Sequence, residues 1–320
     1  MRSILSNFPQ LNYRVYADLT EGEQRLAVSS YVENLLKNAG SWETPVPITE
    51  AVLPAFAIQL RRASVATEGY VTEQKGTLTI NLGMRNTYYS ELRRRFTIAH
   101  ELAHILTSAG PQRIATNLKR TSLELIRIER LCNMVAAELL MPRKLIMLWL
   151  SKNKQENGFK VDKFNNLCKD FQVSRQAMGT RLVRELGIWR AIIFGVRWTT
   201  KNSQDLSKPA WRVMWAEAPD DLRNAVIWKS IKGGPIIRNK IPEMVFDERK
   251  TIISTIELKK IGLPGIEKLG KKFSNSKVSV EASISFPERV QMHFDDNIKD
   301  PRPNSMKRYA QITICVPLDF

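Results

Sequence analysis

Cysteine and histidine are both scarce here, three of each in 320 residues. Cys132, Cys168 and Cys315 lie far apart, are odd in number and include no CxxC pair. That excludes a disulfide framework and leaves buried free thiols as the expectation. No apolar run approaches the length that spans a bilayer, so a membrane-embedded class is excluded. Nor does the N-terminal stretch hold an apolar core of signal-peptide length, because Pro9, Asn12, Arg14 and Asp18 interrupt it. A cytoplasmic location is therefore expected. Acidic residues are outnumbered, 32 Asp and Glu against 49 Lys and Arg, for a formal charge of +17. The excess favours contact with polyanions such as DNA or with an acidic partner, and a merely solvated basic surface explains it as simply.

What is present suits packed domains. The hydrophobic fraction is 43% with charges well interspersed, and the length supports two or three domains. Residues 1–150 read as one α+β unit. Thr20 to Gly40 has helical apolar spacing and ends at a glycine suited to a C-terminal cap. Gly76 to Gly83 alternates, with Leu78, Ile80 and Leu82 on one face and Thr77, Thr79 and Asn81 on the other, the pattern of a half-buried antiparallel strand. A helix follows with Ser90 as N-cap candidate and an apolar face of Leu92, Phe96, Ala99, Ala103 and Leu106; Gly110 and Pro111 lie beyond its end. A second helix runs from about Ser122 to Leu140, and Pro142 stops it or starts a new turn. From 191 to 320 the β-branched runs AIIFGVRW, WRVMW, KVSVEASISF and RYAQITICVPL read as strands of a small α/β domain.

The first of the two helices carries chemistry. His100, Glu101 and His104 form an HExxH pattern, and two of the three histidines fall in it. A helix advances about 100° per residue, so His100 and His104 stand one turn apart where two imidazoles can grip one metal ion. Glu101 is offset from that pair and suits a general base acting on water. In an apolar helix an unliganded His-Glu-His cluster would cost desolvation with nothing to offset it.

A third ligand is needed, and the second helix offers Glu124, Glu129 and Glu138. Glu138 lies about 180° around the axis from Glu129, and Glu124 about 140° away among polar residues. Glu129 shares its face with Asn133, Ala136, Ala137 and Leu140, the side able to pack on the first helix, and is chosen. Asn133, one turn on, suits a hydrogen bond to the outer nitrogen of a ligating histidine. A His2Glu set suits Zn2+ and tolerates Mn2+.

Residues 151–190 hold a different unit. A short helix with Phe164, Leu167, Cys168 and Phe171 leads through a tight connection to Ser174 and a second helix with Ala177, Met178, Leu182 and Leu186, stopped by Gly187. The pair reads as a helix-turn-helix. Arg175, Gln176, Thr180, Arg181 and Arg184 are the residue types that meet phosphates and base edges; a scaffold or partner-docking role is the competing reading.

The stretches RRRFTIAHELAHIL (93–106) and ERLCNMVAAELLMP (129–142) closely resemble the ImmA/IrrE family of metallopeptidases. Two departures stand out: Ala103 replaces a usual glycine, and Val135 stands where an aromatic is common. Ligands and base are intact. The resemblance implies a zincin-like metallopeptidase domain, followed by the helix-turn-helix and a small α/β domain similar to the GAF sensor of three-domain radiation-response regulators. It also implies cleavage of a Cro/cI-type repressor, which switches on stress-response or mobile-element genes. In such sites the substrate commonly lies along an edge strand above the active-site helix, and Gly76 to Leu82 is the candidate strand.

His293 is expected to be structural, Tyr88 and Tyr89 to be packing or surface residues, and Arg93 to Arg95 to be solvated or salt-bridged. Two rivals to the peptidase reading are kept. One is a regulator that retains the metal fold but acts by binding DNA or a partner; the other is the peptidase-like member of a toxin–antitoxin pair. Oligomeric state is not legible from the sequence.

Overall fold

Thr20 opens the first helix of the computed structural model by a reciprocal cap. Its hydroxyl accepts from the Glu23 amide, while the Glu23 carboxylate accepts from the Thr20 amide at 2.8 Å. The structure describes residues 11, 15–16, 18–64, 68–83, 91–107, 122–153, 161–199, 210–219, 281–285 and 311–317. Ser90, Tyr88, Tyr89, Gly110, Pro111 and His293 lie outside them. So do ISTIELKKIGLPGIEKLGKKF (253–273), whose pattern could hold a helix, and DDNIKDPRPNSMKR (295–308), whose composition suits a loop. The chain divides into two compact units, one of residues 1–154 with 168–174, the other of 155–167 with 175–320. Among the described residues no helix is long and apolar enough to cross a membrane.

In the first unit, α1 (Glu21–Asn38) buries Val28, Val32, Leu35 and Leu36 and ends at Gly40, whose φ of 64° suits a glycine. A π-helical turn, Ile48–Val52, leads to β1 (Gln59–Ala63). Next come β2 (Gly69–Gln74) and β3 (Thr77–Gly83), joined by a two-residue turn in which Lys75 and Gly76 both have positive φ. The helices α2 (Glu91–Leu106), α3 (Ser122–Leu140) and α4 (Arg143–Lys152) follow. α2 packs on α3 and against β2 and β3, and α1 packs on α3.

The sheet order is β1-β3-β2, with β3 parallel to β1 and antiparallel to β2. This corrects the reading of 76–82 as a receiving edge. β3 is central, hydrogen-bonded on both sides, and cannot accept another strand; among the described residues the edges are β1 and β2. It is also not half-buried. Thr79 and Asn81 are as covered as Ile80 and Leu82, a burial tolerated because the Asn81 amide donates to the Thr72 hydroxyl at 3.0 Å.

Likewise α2 has more than one apolar face. Ile98, Leu102 and Ile105 are buried together with Ala99, Ala103 and Leu106, because the helix is enclosed by sheet and α3 at once. Arg95 is buried too, against the expectation of a solvated arginine run, and donates to the Val46 carbonyl at 3.1 Å. Arg93 and Arg94 pair with Glu68 and Glu91 as expected of exposed arginines.

Glu138 was set aside as a metal ligand by helical phase, and its side chain indeed serves another purpose. It is buried, accepting from the Ser29 hydroxyl at 2.8 Å and from the Arg143 amide at 2.9 Å. One carboxylate thus ties α3 to α1 and satisfies an open amide at the start of α4.

The described helices of the 161–190 region are α5 (Val161–Asp170) and α6 (Arg175–Gly179), the latter running on as a π-helical stretch, Thr180–Glu185. Gln172, at a φ of 50°, makes the turn between them. The second unit contains a four-stranded antiparallel sheet of β4 (Ala191–Thr199), β5 (Ala210–Glu217), β6 (Glu281–Ser285) and β7 (Gln311–Pro317), ordered β5-β4-β7-β6. Over their described residues, each of the four runs read as strands holds one.

Candidate metal centre

α2 and α3 pack together because each presents small residues to the other's side of the unit, Ala99 and Ala103 from one and Ala136 and Ala137 from the other. That closeness brings Glu129 over His100 and His104. The two Nε2 atoms lie 3.1 Å apart, with the rings edge to face at a centroid distance of 4.8 Å. The carboxylate of Glu129 spreads over both: Oε2 is 3.2 Å from Nε2 of His100, and Oε1 is 3.4 Å from Nε2 of His104. Phe96 stacks on the outer face of His100, ring centroids 6.2 Å apart.

The four atoms fit a shared cation. Tetrahedral ligands at about 2.0–2.1 Å from zinc stand roughly 3.3 Å from one another. Two imidazole nitrogens facing each other at 3.1 Å need a proton or a cation between them, and a carboxylate aimed at both favours positive charge there. Among the described residues, His100, His104 and Glu129 form a group that can hold a metal ion, their donor atoms all within 4.8 Å. The histidines are mostly covered, whereas the Glu129 side chain is 52% exposed, so the cluster opens to solvent on the Glu129 side.

Charge and burial act differently on the members. Burial depresses the pKa of His104, with His100 beside it adding to the effect. His100 is raised: burial opposes its charge, but the hydrogen bond and charge of Glu129 prevail. The same hydrogen bond holds Glu129 below the usual carboxylate range. Glu101 moves the other way. It is 8% exposed, and burial, helped by the charge of Glu129, pushes its carboxyl up to about 7 against the pull of His100.

Asn133 lies beside His100 and helps raise its pKa, yet no hydrogen bond of good geometry reaches the outer nitrogen, and the buried Nδ1 has no partner. At His104 the outer contact comes from a residue not singled out in the sequence for this role. Cys132 Sγ is 3.4 Å from His104 Nδ1. Helical phase was the available signal: Cys132 follows Glu129 by three residues and so lies about 60° from it around the axis. Cys132 and Cys168 are both buried thiols outside any disulfide, and burial pushes the Cys132 thiol up to about 12.

Gly69 carried no sequence signal at all. It opens β2 directly against α2, where a Cβ would meet Thr97 Cγ2 at 2.8 Å and the Glu101 side chain at 3.1 Å.

The helix-turn-helix candidates are largely occupied within their own unit. Arg181 is 2% exposed and pairs with Glu185 at 2.9 Å. Thr180 donates to Glu217 at 2.8 Å, and Arg184 lies 3.9 Å from the same carboxylate. Arg175 donates to Asn165 at 2.8 Å, and Gln176 is exposed. Burial of Arg181 narrows the set that can meet a partner without rearrangement.

Comparison with known sequences agrees with this geometry. No curated protein matches the chain. Residues 58–183 match the family model described as the IrrE N-terminal-like domain, a peptidase family. The matched stretch begins at β1 and takes in both helices of the His100–His104–Glu129 cluster. Through these residues the chain carries an IrrE N-terminal-like domain, which supports its assignment to the ImmA/IrrE family.

Proposed function

We propose that this protein is a site-specific metallo-endopeptidase, with His100, His104 and Glu129 as metal ligands and Glu101 as general base. The observation that carries the reading is the convergence of both Nε2 atoms and both Glu129 oxygens on one point, with a buried carboxyl one residue from the first ligand. A Zn2+ or Mn2+ ion held by these three side chains would supply Lewis acidity at the site. Glu101, held near neutrality by burial, takes a proton from the water and returns it to the leaving nitrogen. The substrate strand adds to β2, an edge among the described strands that runs over α2 at Gly69, in place of the central strand β3.

The substrate is a Cro/cI-type repressor, as the family resemblance implies, and cutting it derepresses stress-response or mobile-element genes. The chain is organised as a zincin-like domain (1–150), a helix-turn-helix unit (151–190) and a GAF-like sensor domain (191–320), located in the cytoplasm. Engagement of Thr180, Arg181 and Arg184 by Glu185 and Glu217 favours a scaffold or partner-docking role for the helical pair over direct DNA reading.

The test is incubation of purified protein, Zn2+ and such a repressor, beside Glu101→Gln. Expected are one cut in the repressor by the wild type and intact repressor with the variant. Failure to cut under Zn2+ or Mn2+, or equal cutting by Glu101→Gln, refutes the reading.

A further inference from the structure

On the side of His104 away from Glu129, three buried groups form a closed set of contacts. Cys132 Sγ is 3.4 Å from His104 Nδ1 and 3.5 Å from Thr107 Oγ1, and the Thr107 hydroxyl is 3.4 Å from the His104 carbonyl. Cys132 and Thr107 are fully buried and His104 is nearly so, so bulk water does not compete.

Donor counting gives the set a direction. A carbonyl only accepts, so the single Thr107 proton goes to His104 O. The Thr107 oxygen is then free to accept the Cys132 S–H, and the sulfur to accept from Nδ1–H. Every group gives what it has once, and the histidine proton ends on Nδ1.

We propose that Cys132, relayed through Thr107, is a positioning residue that fixes His104 as the Nδ1–H tautomer and turns its Nε2 lone pair toward Glu129 and the metal. The inference rests on the metal-centre reading above. His100 supplies the contrast: its Nδ1 is buried without a partner. His104 is therefore the pre-set ligand, and His100 the one that adjusts. Sulfur contacts of this length are weak, so the consequence falls on tautomer and ring orientation more than on stability.

The experiment measures Zn2+ affinity of the full chain by chelator competition, and His104 imidazole 15N shifts in the metal-free protein, for wild type, Cys132→Ala and Cys132→Ser. Serine keeps a donor and an acceptor at the position; alanine keeps neither. Cys132→Ala should lose roughly tenfold in Zn2+ affinity, the low end for the outer partner of a ligating histidine. Its His104 shifts should move toward a mixture of tautomers while the thermal midpoint stays near wild type. Cys132→Ser should recover most of the affinity and the Nδ1–H shifts. Wild-type affinity and shifts in Cys132→Ala overturn the proposal, as does a folded Cys132→Ser that behaves like Cys132→Ala. A wild type that takes no Zn2+ instead defeats the metal-centre reading itself, and this inference with it.

Discussion

Gly69 leaves no room between β2 and the Glu101 side chain. A Cβ built on it would stand 3.1 Å from Glu101 Cγ and 3.2 Å from Oε1, and only 2.8 Å from Thr97 Cγ2. The edge strand and the proposed base are thus set against each other by the absence of a side chain. Gly69→Ala should push Glu101 or the strand by a few tenths of an ångström. Misplacement on that scale lowers turnover by roughly 10–100-fold. Zn2+ affinity should stay within a factor of about three, since neither histidine nor Glu129 is touched. Steady-state cleavage with parallel Zn2+ titration checks both.

Glu101 makes the metal-free protein sensitive to alkali. Its folded pKa is about 7, raised above the unfolded value near 4.5. A carboxyl shifted upward binds its proton more tightly when folded, so the neutral acid favours the fold fully below the unfolded value. That contribution is lost as pH rises toward and through about 7. Glu101→Gln, always neutral, should make the metal-free protein more stable than wild type at pH 8, by roughly 3 kcal/mol for a shift from 4.5 to about 7 at about 1.4 kcal/mol per pKa unit. The difference should shrink to near zero at pH 4.5. Urea unfolding of both proteins at the two pH values decides it; a difference that grows as pH falls contradicts the assignment.

Glu138 and Glu129 stand on the same helix with opposite consequences. Glu138→Ala removes the acceptor of the Ser29 hydroxyl and the Arg143 amide. Left without that carboxylate in a buried place, α1 and α4 should lose about 2–3 kcal/mol of anchoring. Zn2+ stoichiometry should be unchanged. Glu129→Ala, whose side chain is half exposed, should cost little stability in the metal-free protein and abolish tight Zn2+ binding. Thermal denaturation and Zn2+ titration of the two variants separate the roles.

Removal of metal should lower the melting temperature. A ligand present at about a thousand times its Kd stabilises the folded state by roughly 4 kcal/mol. Chelation should therefore shift the midpoint downward in the wild type and leave His104→Ala unmoved, as calorimetry with and without chelator would record.

Much of the site was legible because helical geometry is rigid. His100 and His104 fall one turn apart whatever surrounds them, and the phase of α3 separates Glu129 from Glu124 and Glu138 before any tertiary contact is known. What periodicity could not supply was the environment of each element. β3 looks half-buried because it alternates, and the family resemblance cast it as a receiving edge, yet the sheet order makes it central and Asn81 finds a buried partner in Thr72. α2 looks one-sided because Ile98, Leu102 and Ile105 are covered by packing that spacing alone does not count. Gly69 and Cys132 were invisible as site residues for the same reason: their roles come from neighbours distant in sequence, at Glu101 and His104. Arg181 was the converse, a residue of phosphate-binding type that the fold buries against Glu185.

X-ray absorption at the zinc edge of the loaded protein tests the centre most directly. Two imidazole nitrogens and carboxylate oxygen from His100, His104 and Glu129 should give a shell at about 2.0–2.1 Å, with no sulfur near 2.3 Å. A sulfur shell would make Cys132 a ligand in place of a neighbour of His104. A shell unchanged in Glu129→Ala would remove Glu129 from the metal, and either result contradicts the arrangement described.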